Sequence, residues 1–230
     1  MWTVCRARLE MLSTTKKRNT CRVLEVRRLT PETTVVRFER QGLEFEPGQY
    51  IRVGLEGDPE IRDYSVYSGA NKTDYLEVLV RRVEDGLVSK QLCDLEVGET
   101  VSVGGPYGHF KLLDEIRKKP LLLISTGTGI SPFHSFAESY EGLSYRLIHG
   151  TARVDESYES DFYGDHYFHC VSREEGGDFK GRVTDYLRDL EIAPETNAFL
   201  CGNCDMIYEV FDMLQDKGLP TAQIHTEVYF

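Results

Sequence analysis

Residues 120–133 read PLLLISTGTGISPF, an apolar run followed by a glycine-containing turn and a proline. The apolar run predicts a buried strand, and Pro132 suits the first turn of a helix, where its missing amide hydrogen is not needed. Glycines at a strand-to-helix turn let backbone amides approach an anion closely, and the helix N-terminus adds partial positive charge. Pro132 replaces the third glycine of the usual dinucleotide-binding fingerprint. The motif alone therefore leaves a plain strand–helix turn open as the alternative.

Short apolar strands alternate with helical patterns around and after this turn. The predicted strands cover residues 120–125, 145–149, 166–171, 198–201 and 223–228. The predicted helices cover residues 133–140, 155–163, 183–190 and 206–215. Such alternation predicts a doubly wound α/β domain built on a parallel sheet.

The chain before the turn follows a different pattern. Short β-branched or alternating runs occupy residues 21–29, 33–40, 50–55, 62–67, 75–83 and 99–103, with one helix predicted at 88–95. Strands of this length and spacing, separated by Gly and Pro turns, predict an antiparallel barrel or sandwich. A charged stretch at 114–119 separates the two patterns. We therefore predict an N-terminal arm (1–19), an antiparallel β-barrel domain (20–113) and an α/β domain (114–230).

Composition narrows the class of protein. Of the 230 residues 40% are hydrophobic and 28% are charged, which is typical of a soluble globular protein, and the net charge is −11. A duplex nucleic-acid binder normally carries a basic balance, so we expect no nucleic-acid partner. No apolar run reaches the roughly 18 residues of a membrane span. The basic arm lacks the apolar centre of a secretory signal, which favours a cytoplasmic protein and leaves an organellar transit peptide open.

The cysteines and histidines indicate neither disulfides nor a metal site. The thiols are scattered along the chain, as expected of reduced cytosolic cysteines: Cys5, Cys21, Cys93, Cys170, Cys201 and Cys204. The last two form one C-x-x-C pair, which could be a redox dithiol, but no second pair accompanies it. The six histidines fall in no metal-ligand spacing.

Two motifs of the barrel half carry groups suited to a nucleotide. The first, Arg62-Asp63-Tyr64-Ser65, offers an arginine for a phosphate, a tyrosine for a flat ring and a hydroxyl for that ring's edge. The second, Gly86-Leu87-Val88-Ser89, precedes the only helix of this half and is a candidate anion site. Together with the turn at 127–129, they indicate two nucleotides that meet between the domains.

Further motifs complete an ordered set. These are Gly105-Pro106-Tyr107-Gly108, Cys201-Gly202-Asn203 and Glu227-Val228-Tyr229-Phe230. The six motifs occur in the order found in the ferredoxin–NADP(+) reductase family, and the chain resembles that family over roughly residues 21–230. The resemblance implies bound FAD, a nicotinamide cofactor and hydride transfer between them at flavin N5.

The resemblance also implies roles for matching positions. Arg62 would contact the FAD phosphates, Tyr64 would stack on the isoalloxazine ring, and Ser65 would lie near flavin N5. Further contacts to FAD are implied for Asp63, Val80, Gly86, Leu87, Val88 and Ser89. Contacts to NADP are implied for Thr126, Gly127, Thr128, Gly129, Pro132, Gly202, Asn203 and Met206. The residues implied in catalysis are Ser65, Cys201, Glu227 and Tyr229, and Phe230 would add a second terminal aromatic.

The cofactor and the partner are predicted less directly. Basic and hydroxyl groups that follow the strands of the α/β half could bind a 2′-phosphate, or could be solvated surface groups: Arg153, Ser172, Arg173, Lys180 and Arg182. We predict NADPH rather than NADH, and a monomer that exchanges electrons with a separate ferredoxin or flavodoxin. Basic candidates for docking an acidic carrier are Arg37, Arg40, Lys90 and residues 117–119. The alternatives are a flavin reductase, an NADH-using reductase component of a multicomponent oxygenase, and a non-catalytic electron-transfer subunit.

Overall fold

A computed structural model describes residues 18–229. Most of the predicted arm and the cofactor contact predicted for Phe230 lie outside these residues. The described chain forms two six-stranded sheets, one antiparallel and one parallel, which confirms the predicted fold class.

The antiparallel sheet comprises β1 (Asn19–Arg28), β2 (Thr33–Glu39), β3 (Tyr50–Leu55), β4 (Arg62–Ser65), β5 (Tyr75–Arg81) and β6 (Thr100–Tyr107). Its order is β4-β3-β6-β1-β2-β5. A bridge between Val66 and Val78 joins the two outer strands and closes the sheet into a barrel. Helix α1 (Leu87–Cys93) packs its buried side chains on the barrel core.

The parallel sheet comprises β7 (Leu121–Thr126), β8 (Tyr145–Thr151), β9 (Tyr167–Val171), β10 (Phe179–Lys180), β11 (Asn197–Asn203) and β12 (Ile224–Tyr229). Its order is β10-β9-β8-β7-β11-β12. The helices are α2 (Ser131–Ser139), α3 (Val183–Leu187) and α4 (Cys204–Asp216). None of the helices within residues 18–229 combines the length and the hydropathy needed to cross a bilayer.

The predicted helix at 155–163 is wrong. The chain instead forms three short 3-10 turns, Val154–Glu156, Ser160–Phe162 and Gly164–His166. Between the first two, Tyr158 and Glu159 have positive φ angles of 27° and 56°, which a right-handed helix does not accommodate. This backbone directs both side chains to the barrel: the Tyr158 hydroxyl lies 3.1 Å from Thr33 Oγ1, and Glu159 accepts a hydrogen bond from Tyr67.

Helix α2 joins the two domains. The His134 ring stacks on Tyr67 with 3.9 Å between ring centroids, and its Nδ1 lies 2.9 Å from the Tyr67 carbonyl oxygen. Ser135 Oγ donates a hydrogen bond of 2.8 Å to the Ser68 carbonyl. The helix that follows the glycine turn is therefore fixed directly to the barrel, and this contact defines the cleft between them.

Candidate functional site

A cleft of about 950 Å³ lies between the barrel and the parallel sheet. Its walls come from the start of β3, from β4 and β5, from the start of α1, from the turn before α2 and from the end of β12. It brings together many of the residues predicted from sequence: Arg62, Asp63, Tyr64, Ser65, Gly86, Leu87, Val88, Ser89, Thr128, Glu227 and Tyr229. Residues that are 160 positions apart in the chain thus share one cavity.

A hydrogen-bonded cluster occupies the part of the cleft where β4 meets β12. Ser65 Oγ donates to Glu227 Oε1 at 3.1 Å and accepts from the Tyr229 hydroxyl at 2.7 Å. The parallel pairing of β11 with β12 places Cys201 opposite Glu227. All four residues predicted to be catalytic therefore lie in one group.

Burial sets the protonation of this cluster. It raises the pKa of Glu227 to about 7, against the opposing effect of the Ser65 hydrogen bond. Burial also raises the pKa of the Cys201 thiol well above its usual range, and the nearby Glu227 carboxyl adds to this shift. Cys201 is therefore a neutral thiol at neutral pH, while Glu227 can both hold and release a proton there.

The barrel wall of the cleft offers groups for phosphates and flat rings. The Arg62 side chain is 58% exposed, and its Nη1 donates to Glu60 Oε2 at 3.0 Å, a surface pair that an anionic ligand can replace. A Cβ atom at Gly86 would lie 2.6 Å from Ser89 Oγ, so a side chain here would displace that hydroxyl from its hydrogen bond with the Val83 amide. Tyr64 is half-buried on the same wall and presents the aromatic ring predicted from sequence.

The glycine turn packs tightly against β11. A Cβ atom at Gly129 would lie 2.4 Å from the Cys201 carbonyl oxygen, and one at Gly202 would lie 2.5 Å from Thr126 Oγ1. Thr126 Oγ1 also accepts a hydrogen bond of 2.9 Å from the Asn203 amide. Both glycines are thus needed for close backbone approach, and the motif at 201–203 packs directly against the turn.

His149 supports this turn and was missed by the sequence analysis. Its Nε2 donates to the Gly127 carbonyl at 2.8 Å, and its Nδ1 accepts from the Tyr167 hydroxyl at 2.7 Å. Burial lowers the pKa of His149 to about 3, so the ring is neutral at physiological pH and both hydrogen bonds persist. No signal in the sequence identifies His149, because the register that pairs it with Ser125, two residues before Gly127, is set only in the folded sheet.

The residues predicted to bind a 2′-phosphate gather at one edge of the parallel sheet. They follow the carboxyl ends of three adjacent strands, β8, β9 and β10: Arg153, Ser172, Arg173, Lys180 and Arg182. Hydrogen bonds from the Ser172 amide to the Thr151 carbonyl (3.0 Å) and from the Arg173 amide to the Ala152 carbonyl (3.1 Å) hold the strand ends side by side.

These basic side chains differ in their present partners. Arg153 Nε lies 3.2 Å from Asp155 Oδ1, and Lys180 Nζ lies 2.5 Å from Glu175 Oε1. Within residues 18–229 the exposed side chains of Arg173 and Arg182 form no ion pair. Those two guanidinium groups are therefore the ones free to bind a dianion.

Some predicted contacts do not line the cleft. Val80 is fully buried in the barrel core, because alternation along β5 turns its neighbours Leu79 and Arg81 toward the cleft instead. Pro132 is buried in α2, and Met206 lies in the core beneath α4. The cleft also contains residues that the sequence analysis missed, namely Tyr50, Arg52, Ile61, Leu79, Arg81, Val83, Ser131 and Val228.

Comparison with known proteins places the chain among flavin-dependent reductases. Residues 20–112 match the family model described as oxidoreductase FAD-binding domain. The chain is 33% identical over 211 residues to a ferredoxin–NADP reductase of Pseudomonas aeruginosa, covering 77% of this chain and 81% of that protein. It is 30% identical over 225 residues to the toluate 1,2-dioxygenase electron transfer component of Pseudomonas putida, covering 90% of this chain but only 66% of that protein.

Solved structures agree with this placement. The fold resembles the cytochrome P450 reductase GcoB of Amycolatopsis with a TM-score of 0.83 and 26% identity, covering 92% of this chain and 69% of that chain. It also resembles a ferredoxin NADP+ reductase of Neisseria gonorrhoeae, whose structure holds FAD and NADP, with a TM-score of 0.81. That pair is 24% identical and covers 93% and 99% of the two chains, so it supports the fold.

Proposed function

The chain belongs to the ferredoxin–NADP(+) reductase family, and we propose that it carries FAD and passes electrons between NADPH and a separate one-electron carrier, ferredoxin or flavodoxin. The observation that carries the proposal is the cluster of Ser65, Glu227 and Tyr229 in the interdomain cleft. A hydroxyl, a proton-holding carboxyl and an aromatic ring meet there, between the barrel wall and the glycine turn. Such a site suits hydride exchange, which needs the two reacting rings held close together and shielded from water.

The residues present fit FAD. The cleft volume of about 950 Å³ lies within the range of cofactor sites. Arg62 would pair a phosphate, the tight turn at Gly86 would bring backbone amides close to a second one, and Tyr64 would cover a ring face. When bound, FAD supplies the hydride-accepting chemistry that no side chain offers. With FAD bound, Tyr229 would exclude water, and Ser65 with Glu227 would hold a proton beside the cofactor.

The proposed preference for NADPH rests on the basic edge of the parallel sheet. Arg173 and Arg182 would bind the 2′-phosphate, with Ser172 as a further donor, while Thr128 would approach the pyrophosphate. Charge-assisted hydrogen bonds contribute about 1.5–3 kcal/mol each, so one arginine gives on the order of 10–100-fold discrimination. NADH lacks the phosphate and gains nothing from these groups.

The similarity to the toluate 1,2-dioxygenase electron transfer component suggests an oxygenase as a second candidate electron acceptor. In that case the chain would deliver electrons within an oxygenase system, and NADH would be the donor. A flavin reductase, which uses flavin as a substrate, is the third alternative. We propose further that the protein is a cytoplasmic monomer, with domain boundaries at residues 20–113 and 114–230.

The test begins with the absorbance spectrum of the purified protein. We expect a flavin spectrum that survives dialysis, bleaching by NADPH faster than by NADH, and reduction of cytochrome c only when ferredoxin or flavodoxin is added. Arg62→Ala should lose FAD on dialysis, whereas Arg22→Ala, which changes an exposed arginine of β1, should retain it. A colourless protein that reduces added flavin would favour the flavin reductase. Preference for NADH would favour the oxygenase component.

A further inference from the structure

Glu159 links the two domains through both oxygens of its carboxylate. It lies between β8 and β9, in residues 154–166, which we call the interdomain loop. Its Oε1 accepts a hydrogen bond of 3.1 Å from Arg27 Nη2, and its Oε2 accepts one of 2.7 Å from the Tyr67 hydroxyl. Both donors belong to the barrel half of the chain. Because hydrogen bonds to an ionised acceptor are strong and directional, the two together fix the interdomain loop on the barrel.

The barrel holds Arg27 in place for this contact. Arg27 Nη1 donates to Glu77 Oε1 at 2.6 Å, and the same oxygen accepts from Arg37 Nε at 2.9 Å. Glu77 is only 3% exposed, and Arg37 Nη1 also lies 2.6 Å from Glu25 Oε2. Two guanidinium groups thus meet two carboxylates within the barrel, and their charges already balance. Glu159 is an additional anion that the barrel does not need for its own charge balance.

The interdomain loop adopts an unfavourable backbone conformation at Glu159. Its φ of 56° is left-handed, which a residue with a side chain adopts only where its surroundings enforce it. Burial alone would raise the pKa of Glu159, but the Tyr67 hydrogen bond and the Arg27 charge outweigh it and hold the pKa below its usual value. The carboxylate is therefore ionised at neutral pH and keeps both contacts.

Tyr67 connects this contact to the cleft. It lies two residues after Ser65, and alternation directs both side chains away from the barrel core, which receives Val66. The Tyr67 ring stacks on His134 of α2, and the Tyr67 carbonyl oxygen lies 2.9 Å from His134 Nδ1. Helix α2 starts directly after the glycine turn, with Ser131 in the wall of the cleft. A shift of Tyr67 against α2 would therefore move one wall of the cleft relative to the other.

The proposed function makes the distance between the domains decisive for the rate. The barrel wall would hold FAD and the glycine turn would hold the dinucleotide, so the reacting atoms approach only as closely as the two domains allow. Productive contact requires about 3–3.5 Å between reacting atoms, and a misplacement of about 1 Å can cost on the order of 100-fold in rate. Glu159 itself does not line the cleft.

We propose that Glu159 is a positioning residue, which sets the distance across the cleft by binding Arg27 and Tyr67 of the barrel. It contacts neither nucleotide. Its loss should therefore slow hydride transfer between the bound nucleotides and leave the affinity for each of them unchanged. This inference rests on the proposed function, because only a reaction between groups held by different domains depends on the width of the cleft.

The experiment measures, by stopped flow in a single turnover, hydride transfer from saturating NADPH to the FAD-loaded protein. We expect Glu159→Gln to slow the transfer by about tenfold, because a neutral amide has one acceptor oxygen and cannot hold both donors. Tyr67→Phe keeps the ring on His134 but lacks the hydroxyl, and it should slow the transfer as well. A titration with NADP+ supplies the readout without turnover. The dissociation constant should stay within about twofold, while the difference spectrum of the bound flavin, which reports overlap of the two rings, should weaken.

Glu25→Gln is the matched control. It removes the same charge from the same group of side chains, including a pair with Arg27 at 3.5 Å, but all of its contacts lie within the barrel. It should transfer hydride at the rate of the unsubstituted protein. Equal slowing in Glu25→Gln would overturn the proposal, and so would an unchanged rate in either folded variant or an equal loss of NADP+ affinity. If the unsubstituted protein bound FAD but neither NADPH nor NADH reduced it, the proposed function would fail, and this inference with it.

Discussion

Glu227 and its neighbours illustrate which properties of a residue the sequence can reveal. The ending at 227–229 was recognisable from the family resemblance, and the structure places Glu227 beside Ser65. The shift of its pKa was not predictable, because it arises from burial between strands that are distant in the chain. The same reason hides His149, whose partners at Gly127 and Tyr167 come from two other elements.

The raised pKa of Glu227 makes stability depend on pH. In the unfolded chain this carboxyl ionises near pH 4.3, whereas in the folded protein it stays protonated up to about pH 7. Its contribution to the free energy of unfolding is therefore fully present below pH 4.3 and is lost as pH rises to 7, by at most about 4 kcal/mol. As the pH rises from about 5 to about 8, we expect the free energy of unfolding of Glu227→Gln to increase relative to that of the unsubstituted protein. Urea unfolding of both proteins at the two pH values measures the difference, and parallel stability curves would contradict the assignment.

His149 should act on dinucleotide binding without touching the ligand. His149→Gln can keep a donor for the Gly127 carbonyl, while His149→Asn keeps a partner only for the Tyr167 hydroxyl. An unsatisfied buried carbonyl costs about 1–3 kcal/mol, so we expect His149→Asn to weaken NADP+ binding by about tenfold and His149→Gln to preserve it. Titration calorimetry with the FAD-loaded proteins distinguishes the two. Equal losses would show that the ring fills space rather than holding the turn.

At the scale of elements, the carboxyl ends of the parallel strands collect the predicted ligand contacts. β7 leads into the glycine turn, and β8, β9 and β10 present the basic groups at one edge. These basic groups lie close together because β8, β9 and β10 are neighbours in the sheet, and parallel strands all end on the same side of it. Sequence periodicity predicted β7, β8 and β9, but neither the short strand β10 nor the strand order.

Substitution of Arg173 and Arg182 tests whether the basic edge of the sheet binds the 2′-phosphate of NADPH. Arg173→Ala and Arg182→Ala should each raise the KM for NADPH by about 10–100-fold and leave NADH kinetics within about twofold, because only ground-state binding of the 2′-phosphate is lost. Arg188→Ala, which removes an exposed arginine paired with Asp185, is the control and should change neither. Steady-state kinetics with both donors provides the measurement. Equal losses with NADPH and NADH would assign the arginines to the fold or to the common part of the dinucleotide.

One local failure of the sequence analysis has a physical cause. Residues 155–163 were predicted to be helical, yet Tyr158 is buried and Glu159 accepts a hydrogen bond from Tyr67 of the barrel, so tertiary contacts override local propensity. The contact of Val80 with FAD stays a prediction, and its side chain lies in the barrel core, because a single step along a strand exchanges the cleft face for the core face.

The whole molecule carries a net charge of −11 and therefore repels an acidic carrier overall. The carrier must bind a local basic surface, and Arg40 is not part of one: only 8% of it is exposed, and its Nε donates to the Leu43 carbonyl at 2.7 Å. Lys118 and Lys119 are exposed and form no ion pair within residues 18–229. They are the better candidates for docking.

Charge reversal tests this docking surface. Lys118→Glu combined with Lys119→Glu should slow electron transfer to an acidic carrier by about fivefold at low ionic strength, and the difference should vanish as salt rises, because charges are screened within about 10 Å at 0.1 M. The rate of hydride transfer from NADPH, measured by stopped flow in the same proteins, is the internal control. A carrier rate that is independent of salt would exclude an electrostatic docking surface at these lysines.

The hydrogen bonds from Ser65 to Glu227 and from Tyr229 to Ser65 also bear on how the protein is made. Ser65 is synthesised 162 residues before Glu227, and β12 leaves the ribosome after every other strand between residues 18 and 229. The barrel can fold during translation from contacts within residues 20–112, as domains generally do. The cluster of Ser65, Glu227 and Tyr229, in contrast, stays incomplete until β12 has emerged and paired with β11. During synthesis, a folded barrel therefore exists before the hydrogen bonds that complete its cleft, and the docking of β12 is the step that matures the site.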